Sequence, residues 1–301
     1  MTEAKPYRTG VAVERAISDA ARRASTPERD TNRLMREAVF DRFLCRVFAE
    51  EGETFVLKGG TGMLARIPTA RTTRDIDLAA MERTLDAAIV ALRAAALIDL
   101  GDHFRFEYRR TEALLEGEGQ PYTDGAQVRF DTYIGAAKKD GVSIDLVLGH
   151  VPTTPPVTAA PANRLPLPRL QTHDYRLYPL VDQIADKMCA CEGVYGLNEQ
   201  PSSRVKDLVD LVLIATTQTV EGTDLIHAIR AERARRGLPA RNTFTAPATF
   251  GRTWRTEAVK GNLPREIDLA AAVALASHLI EPALAATIVG RVWRPEHRRW
   301  L

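Results

Sequence analysis

Short apolar or alternating runs mark the first half of the chain and predict strands. Residues 54–57 are a brief apolar run, typical of a buried strand. The other predicted strands open at residue 75 or alternate apolar and polar positions, and they span 75–78, 103–108, 126–134 and 142–148. Lys58-Gly59-Gly60-Thr61 interrupts the first run, and a short helix is expected to begin at Gly62.

Helical spacing of apolar residues dominates the second half and also precedes the first strand. It predicts helices at 31–51, 82–97, 178–192, 202–216, 221–236, 253–260 and 267–286. Gly52 is expected to end the first of these helices, and Ser202 and Ser203 to cap the fourth. Residues 1–30 are predicted to be a polar, partly helical lead-in.

A proline-rich stretch divides these two halves. Residues 151–170 contain six prolines and little periodicity, which is typical of an extended connector. The predicted organisation is an α/β domain with a mixed sheet at 1–150, this connector, and a mostly helical C-terminal domain at 171–301.

Composition excludes several classes of protein. Apolar residues make up 45% and charged residues 27% of the 301 positions, as in ordinary globular proteins. No apolar run approaches the ~18–20 residues of a membrane span, and residues 1–10 contain no apolar signal segment. Three cysteines make no disulfide framework, so a cytoplasmic protein with no membrane partner is expected.

Two carboxylates flank one residue at the start of the second predicted strand. Strand side chains alternate, so Asp75 and Asp77 point to one face and Ile76 to the other. Two adjacent carboxylates repel each other unless a cation lies between them, and Mg²⁺ prefers such oxygen ligands. The Gly-Gly-Thr turn before a helix offers backbone N–H groups to the phosphates that commonly share the ion. Solvated aspartates of a surface hairpin, capped by Arg71 and Arg74, are the alternative.

A third carboxylate lies inside the most strand-like segment of the chain. Asp145 is flanked by Ile144 and Leu146, and burying a lone carboxylate among such residues is costly without a partner. A functional role is favoured for Asp145, as the third metal ligand that the resemblance given below implies. The alternative is an edge-strand aspartate that faces water.

Taken in order, strand, Gly-Gly-Thr, helix and Asp-x-Asp strand resemble the nucleotidyltransferase superfamily with the DNA-polymerase-β-like palm. The longer pattern K-G-G-T…R-T-T-R-D-I-D-L resembles the AbiEii-type toxins, which include the mycobacterial MenT nucleotidyltransferases. Thr61 stands where serine is commoner in the superfamily, and the 13 residues between Thr61 and Asp75 exceed its typical spacing.

The resemblance implies an NTP-dependent nucleotidyltransferase with two Mg²⁺ ions. Asp75, Asp77 and Asp145 are then the metal ligands, and Asp145 also helps to deprotonate the acceptor hydroxyl. The residues assigned to the nucleotide in this half of the chain are Lys58, Gly59, Gly60, Thr61 and Arg71.

A second motif in the helical half also resembles these toxins. It is Arg204-x-Lys206-Asp207-x-x-Asp210, together with Asp186-Lys187 on the preceding helix. The resemblance implies that Lys187 binds nucleotide phosphate, that Asp210 is needed for activity, and that Arg204, Lys206 and Asp207 belong to the nucleotide site. A Lys206–Asp210 ion pair on the helix surface, worth ~0.3–0.5 kcal/mol, is the alternative.

The implied function is that of a toxin in a type IV-like toxin–antitoxin pair, with a cognate antitoxin as its partner. The implied acceptor is the tRNA 3′ end, which could then no longer be aminoacylated. Two alternatives stay open: a nucleotidyltransferase acting on a small molecule or a protein, of the antibiotic-modifying or AMPylating type, and an inactive relative that only binds.

Two further sequence features allow more than one interpretation. Phosphorylation of Thr73, or of Thr72, would place about two negative charges beside the carboxylates and switch the enzyme off. Alternatively, Thr73 merely bonds the turn. The net charge is only +2, but the basic stretch 230–241 could steer RNA, or it could be a solvated helix face.

Overall fold

Seven strands form a mixed sheet at the centre of the first half of the chain. The computed structural model describes residues 5–50, 54–113, 124–149, 151–195 and 200–301. The strands of the sheet are β1 Phe55–Lys58, β2 Ile76–Ala80, β3 Phe104–Ala113, β4 Gly125–Ile134, β5 Ala137–Leu148, β6 Val157–Ala159 and β7 Tyr175–Leu177. Their order is β3-β4-β5-β2-β1-β7-β6, with parallel pairing in β2–β5 and β1–β7. The predicted mixed sheet is therefore confirmed.

One face of this sheet is apolar and is covered by helices. The helices of this half are α1 Gly10–Ala24, α2 Thr31–Val47, α3 Gly59–Arg66 and α4 Leu85–Ala96. Alternate strand residues such as Leu78, Ile144 and Val128 are fully buried in the core that α1, α2 and α4 share. Phe43 of α2 packs edge-on against Phe106 of β3, with 5.1 Å between ring centroids. The opposite strand positions are thereby left for polar residues.

Chain contacts divide the described residues into two compact units. The first contains the described residues up to Val151 together with Val157–Leu177. Strand β6 lies within the proline-rich stretch and β7 follows it, and both belong to the sheet. The second unit contains Pro152–Pro156 and Tyr178–Leu301. Within the described residues, no helix is both long and apolar enough to span a membrane.

The second unit is mostly helical, as predicted. Its helices are α5 Leu180–Glu192, α6 Val205–Thr217, α7 Gly222–Arg235, α8 Trp254–Lys260 and α9 Leu269–Leu284, with a 3₁₀ turn at Ala248–Arg252. Short strands pair as β8 Val194–Tyr195 with β9 Gln200–Pro201, and as β10 Val220–Glu221, β11 Val292–Arg294 and β12 Arg299–Trp300. Helix α6 is the buried centre and contacts α5, α8 and α9.

Several helix boundaries differ from the predicted ones. Helix α3 begins at Gly59, directly after β1, so the predicted start at Gly62 is wrong. Helix α2 ends at Val47, and the predicted stop at Gly52 lies outside the described residues. The predicted serine caps of α6 are wrong, because the helix begins at Val205 and no side chain caps it. The Ser202 hydroxyl instead donates to the Ala190 carbonyl at 2.7 Å and accepts from the Arg204 backbone N–H at 3.1 Å.

Candidate active site

Strand pairing brings the predicted carboxylates together on the polar face of the sheet. Parallel pairing of β2 and β5 makes Asp77 the direct cross-strand partner of Asp145, so both side chains point to the same face. Asp75 lies two residues before Asp77, just ahead of β2. Both strands lie inside the seven-stranded sheet, which rules out the surface hairpin and the edge-strand aspartate as alternatives.

The electrostatics of Asp145 show how closely these groups interact. Burial raises the pKa of Asp145, and the negative charge of Asp75 adds to that rise. A hydrogen bond from Gln127 and the positive charge of Arg129 oppose it. Burial and the charge of Asp75 disfavour the ionised form of Asp145, so a nearby cation would stabilise it.

The donor set fits a hard divalent cation in chemistry. Three carboxylates from neighbouring strand positions are the oxygen ligands that Mg²⁺ takes. Among the described residues, however, no group of three or more His, Cys, Asp or Glu side chains is already arranged around one metal position. Asp77 Oδ2 accepts from the Gly60 N–H at 3.2 Å, and Asp145 Oδ1 accepts from Gln127 Nε2 at 3.0 Å.

The glycine turn, Gly59-Gly60-Thr61, is the first turn of α3 and is built around Asp77. Gly59 has a φ of 58°, in the left-handed region that favours glycine. A Cβ at Gly59 would lie 2.1 Å from Asp77 Oδ2, so a larger residue would collide with that carboxylate. Lys58, the last residue of β1, is the cross-strand partner of Asp77. The turn thus holds a carboxylate as well as offering backbone N–H groups to an anion.

Two threonine hydroxyls fix the backbone just before β2. Thr61 Oγ1 donates to the Asp75 carbonyl at 3.0 Å, and Thr73 Oγ1 donates to the same oxygen at 3.1 Å. Thr61 is only 5% exposed. Thr73 and the Arg71 guanidinium also lie over Gly60, where a Cβ would meet Thr73 Oγ1 at 3.1 Å and Arg71 Nη1 at 3.7 Å. These contacts bring Thr61, Arg71, Thr73 and Asp75 together at Gly60.

Gln127 and Arg129 are members of this site that sequence reasoning missed. Gln127 of β4 is the cross-strand partner of Asp145, and Arg129 contacts the Gln127 amide oxygen through Nε at 2.8 Å and Nη2 at 2.5 Å. The only signal in the sequence is the alternation of β4, which places both residues on one face. Which residue they oppose depends on strand register, which the alternation does not give.

The predicted residues of the second unit form a buried ion cluster. Lys187 Nζ donates to Asp207 Oδ1 at 2.9 Å and to Asp210 Oδ2 at 2.6 Å, and these three residues are at most 3% exposed. The Lys206–Asp210 surface pair is therefore wrong, since Asp210 is fully buried with Lys187 while Lys206 is exposed. Arg204 Nε contacts Asp207 Oδ2 at 2.7 Å, with 42% of its side chain exposed.

Opposing influences act on Asp207 within this cluster. Burial alone would raise the pKa of Asp207, but the charges of Lys187 and Arg204 outweigh it and hold the pKa below its ordinary value. Asp207 is therefore ionised at neutral pH and shares the neighbouring positive charges with Asp210.

Most arginines of the basic stretch 230–241 are engaged inside the second unit. Arg233 pairs with Glu192 of α5 at 2.6 Å, and Arg236 pairs with Asp186 at 2.5 Å. Arg235 pairs with Glu232 on α7 itself. The solvated-face interpretation is wrong for these three residues, and only Arg230 and Arg241 of this stretch are exposed arginines.

Comparisons with known proteins identify the family. The family described as "Nucleotidyl transferase AbiEii toxin, Type IV TA system" matches residues 42–292. MenT4, a nucleotidyltransferase toxin from Mycobacterium tuberculosis H37Rv, is 17% identical with a TM-score of 0.49, covering 93% of this chain and 99% of its own. JHP933 from Helicobacter pylori is 14% identical with a TM-score of 0.43, covering 84% and 94% respectively. A search of curated proteins finds no match.

Proposed function

The chain belongs to the AbiEii family of nucleotidyltransferase toxins, and from that premise we propose that it transfers a nucleoside monophosphate from an NTP to the 3′ end of tRNA. A tRNA extended in this way cannot be aminoacylated, so translation stops. The observation that carries the proposal is the pairing of Asp77 with Asp145 beside a glycine turn built around Asp77. Because NTPs and tRNA are cytoplasmic, the activity is proposed to lie there.

The proposed reaction is an in-line displacement at the α-phosphorus. The acceptor 3′ oxygen forms a bond to the α-phosphorus, the bond from that phosphorus to the bridging oxygen breaks, and pyrophosphate leaves. Asp145 is proposed to take the hydroxyl proton. Mg²⁺ held by Asp75, Asp77 and Asp145 would stabilise charge on the attacking and leaving oxygens.

The β- and γ-phosphates need positive charge and N–H donors. Lys58 and Arg71 flank the turn at the start of α3, and the N-terminus of that eight-residue helix adds its dipole. Thr61 is proposed to act beside them, with its hydroxyl holding Asp75 in place. These residues would orient the triphosphate so that pyrophosphate is the leaving group.

The ion cluster of the second unit is proposed to contribute to nucleotide binding. Lys187 and Arg204 carry the positive charges, and Asp207 and Asp210 fix Lys187. Arg204→Met removes the more exposed charge and is expected to raise the KM for the NTP several-fold with little change in melting temperature. An unchanged KM would contradict a role of Arg204 in nucleotide binding, and Lys260→Met, at an exposed lysine outside this cluster, is the control.

Labelled substrates test the main proposal directly. The protein is incubated with total RNA and one α-labelled NTP at a time, and tRNA 3′ ends are sequenced. Added nucleotides on tRNA, absent with Asp77→Asn, are the expected result. Label only in small molecules or in protein would instead support the other nucleotidyltransferase reaction, and no label with any NTP would support an inactive binding relative.

Control by a cognate antitoxin is proposed to act at the turn before β2. Thr73 donates to the Asp75 carbonyl and lies against Gly60, so a phosphate there would break that bond and add negative charge beside the carboxylates. Mass spectrometry of the protein co-expressed with its antitoxin should find phosphate within residues 71–74. Inhibition without any such phosphate would point to direct binding of the antitoxin instead.

A further inference from the structure

A row of polar side chains crosses the sheet beyond the predicted carboxylates. Strand register places Asp77, Asp145 and Gln127 side by side on β2, β5 and β4. Gln127 Nε2 donates to Asp145 Oδ1 at 3.0 Å, and Arg129 lies two residues further along β4. Glu112 of β3, the cross-strand partner of Gln127, approaches Arg129 at 3.4 Å. The third carboxylate is thus the inner end of a connected polar chain.

The two contacts of Gln127 require the same orientation of its amide group. A guanidinium has only donors, so Arg129 must face the amide oxygen, as both of its bonds at 2.8 and 2.5 Å do. The NH₂ group is then directed at Asp145. If the amide were flipped, two donors would meet at Arg129 and two acceptors would meet at Asp145.

We propose that Gln127 and Arg129 are positioning residues that set the Asp145 carboxylate for a divalent cation. Arg129 fixes the amide, and the amide holds one carboxylate oxygen. The inference rests on the proposed function, because it assumes that Asp145 is a metal ligand. It goes beyond that function by assigning a role to two residues that do not themselves touch the metal or the substrate.

The neutral side chain of Gln127, between Arg129 and Asp145, explains why these contacts suit a metal ligand at Asp145. An arginine bonded directly to Asp145 would neutralise the carboxylate and compete with the cation. Here the full positive charge stays one side chain away, and only the amide dipole touches Asp145. The carboxylate therefore remains oriented and keeps its negative charge for the metal.

Manganese binding to the full-length protein tests the proposal without relying on catalysis. Free Mn²⁺ is followed by electron paramagnetic resonance for the wild type, Gln127→Met, Arg129→Met and the double variant. We expect Gln127→Met to weaken Mn²⁺ binding by about 10- to 100-fold, as for other residues that orient metal ligands. Arg129→Met should weaken it less, and the double variant should bind no more weakly than Gln127→Met, because Arg129 positions Asp145 through Gln127.

Arg110 supplies a matched control for Arg129. It pairs with the same Glu112 at 3.2 Å and is similarly exposed, 47% against 42% for Arg129, and the described contacts of the Gln127 amide are with Arg129 and Asp145. Arg110→Met should leave Mn²⁺ affinity unchanged, and melting temperatures measured without metal report whether each variant is folded. Wild-type affinity in folded Gln127→Met or Arg129→Met, or additive losses in the double variant, would overturn the proposal.

Asp145→Ala separates this inference from the function on which it rests. If the wild type binds Mn²⁺ and Asp145→Ala abolishes that binding, the metal site stands, and the Gln127 and Arg129 variants decide the inference alone. If Asp145→Ala binds Mn²⁺ as tightly as the wild type, the proposed metal site itself is wrong and the inference fails with it.

Discussion

Single atoms decide the geometry of the carboxylate site. At Gly59 the missing Cβ makes room for the Asp77 carboxylate, and at Asp75 one carbonyl oxygen receives hydroxyl groups from Thr61 and Thr73. The first contact is made by a carboxylate that is a proposed metal ligand, and the second by the backbone of Asp75 alone. Both nevertheless fix where the carboxylates lie, and each gives a prediction.

Gly59→Ala is expected to lower kcat by about 100-fold or more. The added Cβ would lie 2.1 Å from Asp77 Oδ2, and displacing a reacting group by about 1 Å commonly costs that much. The left-handed backbone adds a cost of roughly 1 kcal/mol in stability. Gly101→Ala is the control, because Gly101 has a similar φ of 63° but nothing within 4 Å of its Cβ position. Equal kcat values for the two variants would contradict the role of Gly59.

Thr61→Val is expected to lower kcat by roughly ten-fold with little change in the KM for the NTP. Valine keeps the shape but loses the hydroxyl that holds the Asp75 carbonyl, a bond worth about 1 kcal/mol. Thr61→Ser keeps the donor and should retain most of the activity. A raised KM with unchanged kcat would instead mean that the hydroxyl binds phosphate rather than positioning Asp75.

At the scale of elements, periodicity predicts where helices and strands lie better than it predicts which of their residues contact each other. The alternation in 126–134 and the helical spacing in 178–192 match β4 and α5 closely. The ion pairs do not follow from such patterns, because Lys187 on α5 reaches Asp207 and Asp210 on α6, 20 and 23 residues away. For Asp210, sequence spacing indicates only Lys206, four residues earlier, as a partner. The contact between Gln127 and Asp145 depends on strand register, which the sequence pattern does not give.

Lys187→Met is expected to lower the free energy of unfolding by about 3–5 kcal/mol at pH 7, because it removes the amine that Asp207 and Asp210 share. In the wild type, the lowered pKa of Asp207 stabilises the fold at every pH above the ordinary carboxyl range. In the variant Asp207 loses the charge of Lys187 and should take up a proton more readily, so the loss should be smaller at pH 5 than at pH 7. Urea unfolding at both pH values measures it.

Lys206→Met provides the control for that measurement. Lys206 is also on α6 but is exposed, so its removal should change the unfolding free energy by less than about 0.5 kcal/mol. A similar loss in both variants would mean that the Lys187 cluster contributes nothing special to the stability of the second unit.

At the scale of the whole molecule, the near-zero net charge conceals a set of buried ion pairs. The first unit holds Asp102 between Arg42 and Arg46 with no exposure of the carboxylate, and the second holds the Lys187 cluster. Composition shows only that charges balance to +2. Composition cannot show that the charges of these two clusters are buried, because the residues that pair in them lie far apart in sequence. The strands β1 to β5 and the carboxylate motif were predictable because each is a local pattern, whereas the order of the strands in the sheet was not.

Asp102→Asn is expected to lower the free energy of unfolding by about 3–5 kcal/mol at pH 7, because two buried guanidinium groups lose their counter-charge. Burial alone would raise the pKa of Asp102, but the hydrogen bond and charge of Arg46 and the charge of Arg42 lower it. A lowered pKa gives stability that is present above the ordinary carboxyl pKa and is lost as the pH falls through the folded value. The difference between variant and wild type should therefore shrink below pH 4. Urea unfolding at pH 7 and pH 3 tests this, with Asp140→Asn as the exposed control. A constant difference would show that Asp102 is not held as the ionised partner of Arg42 and Arg46.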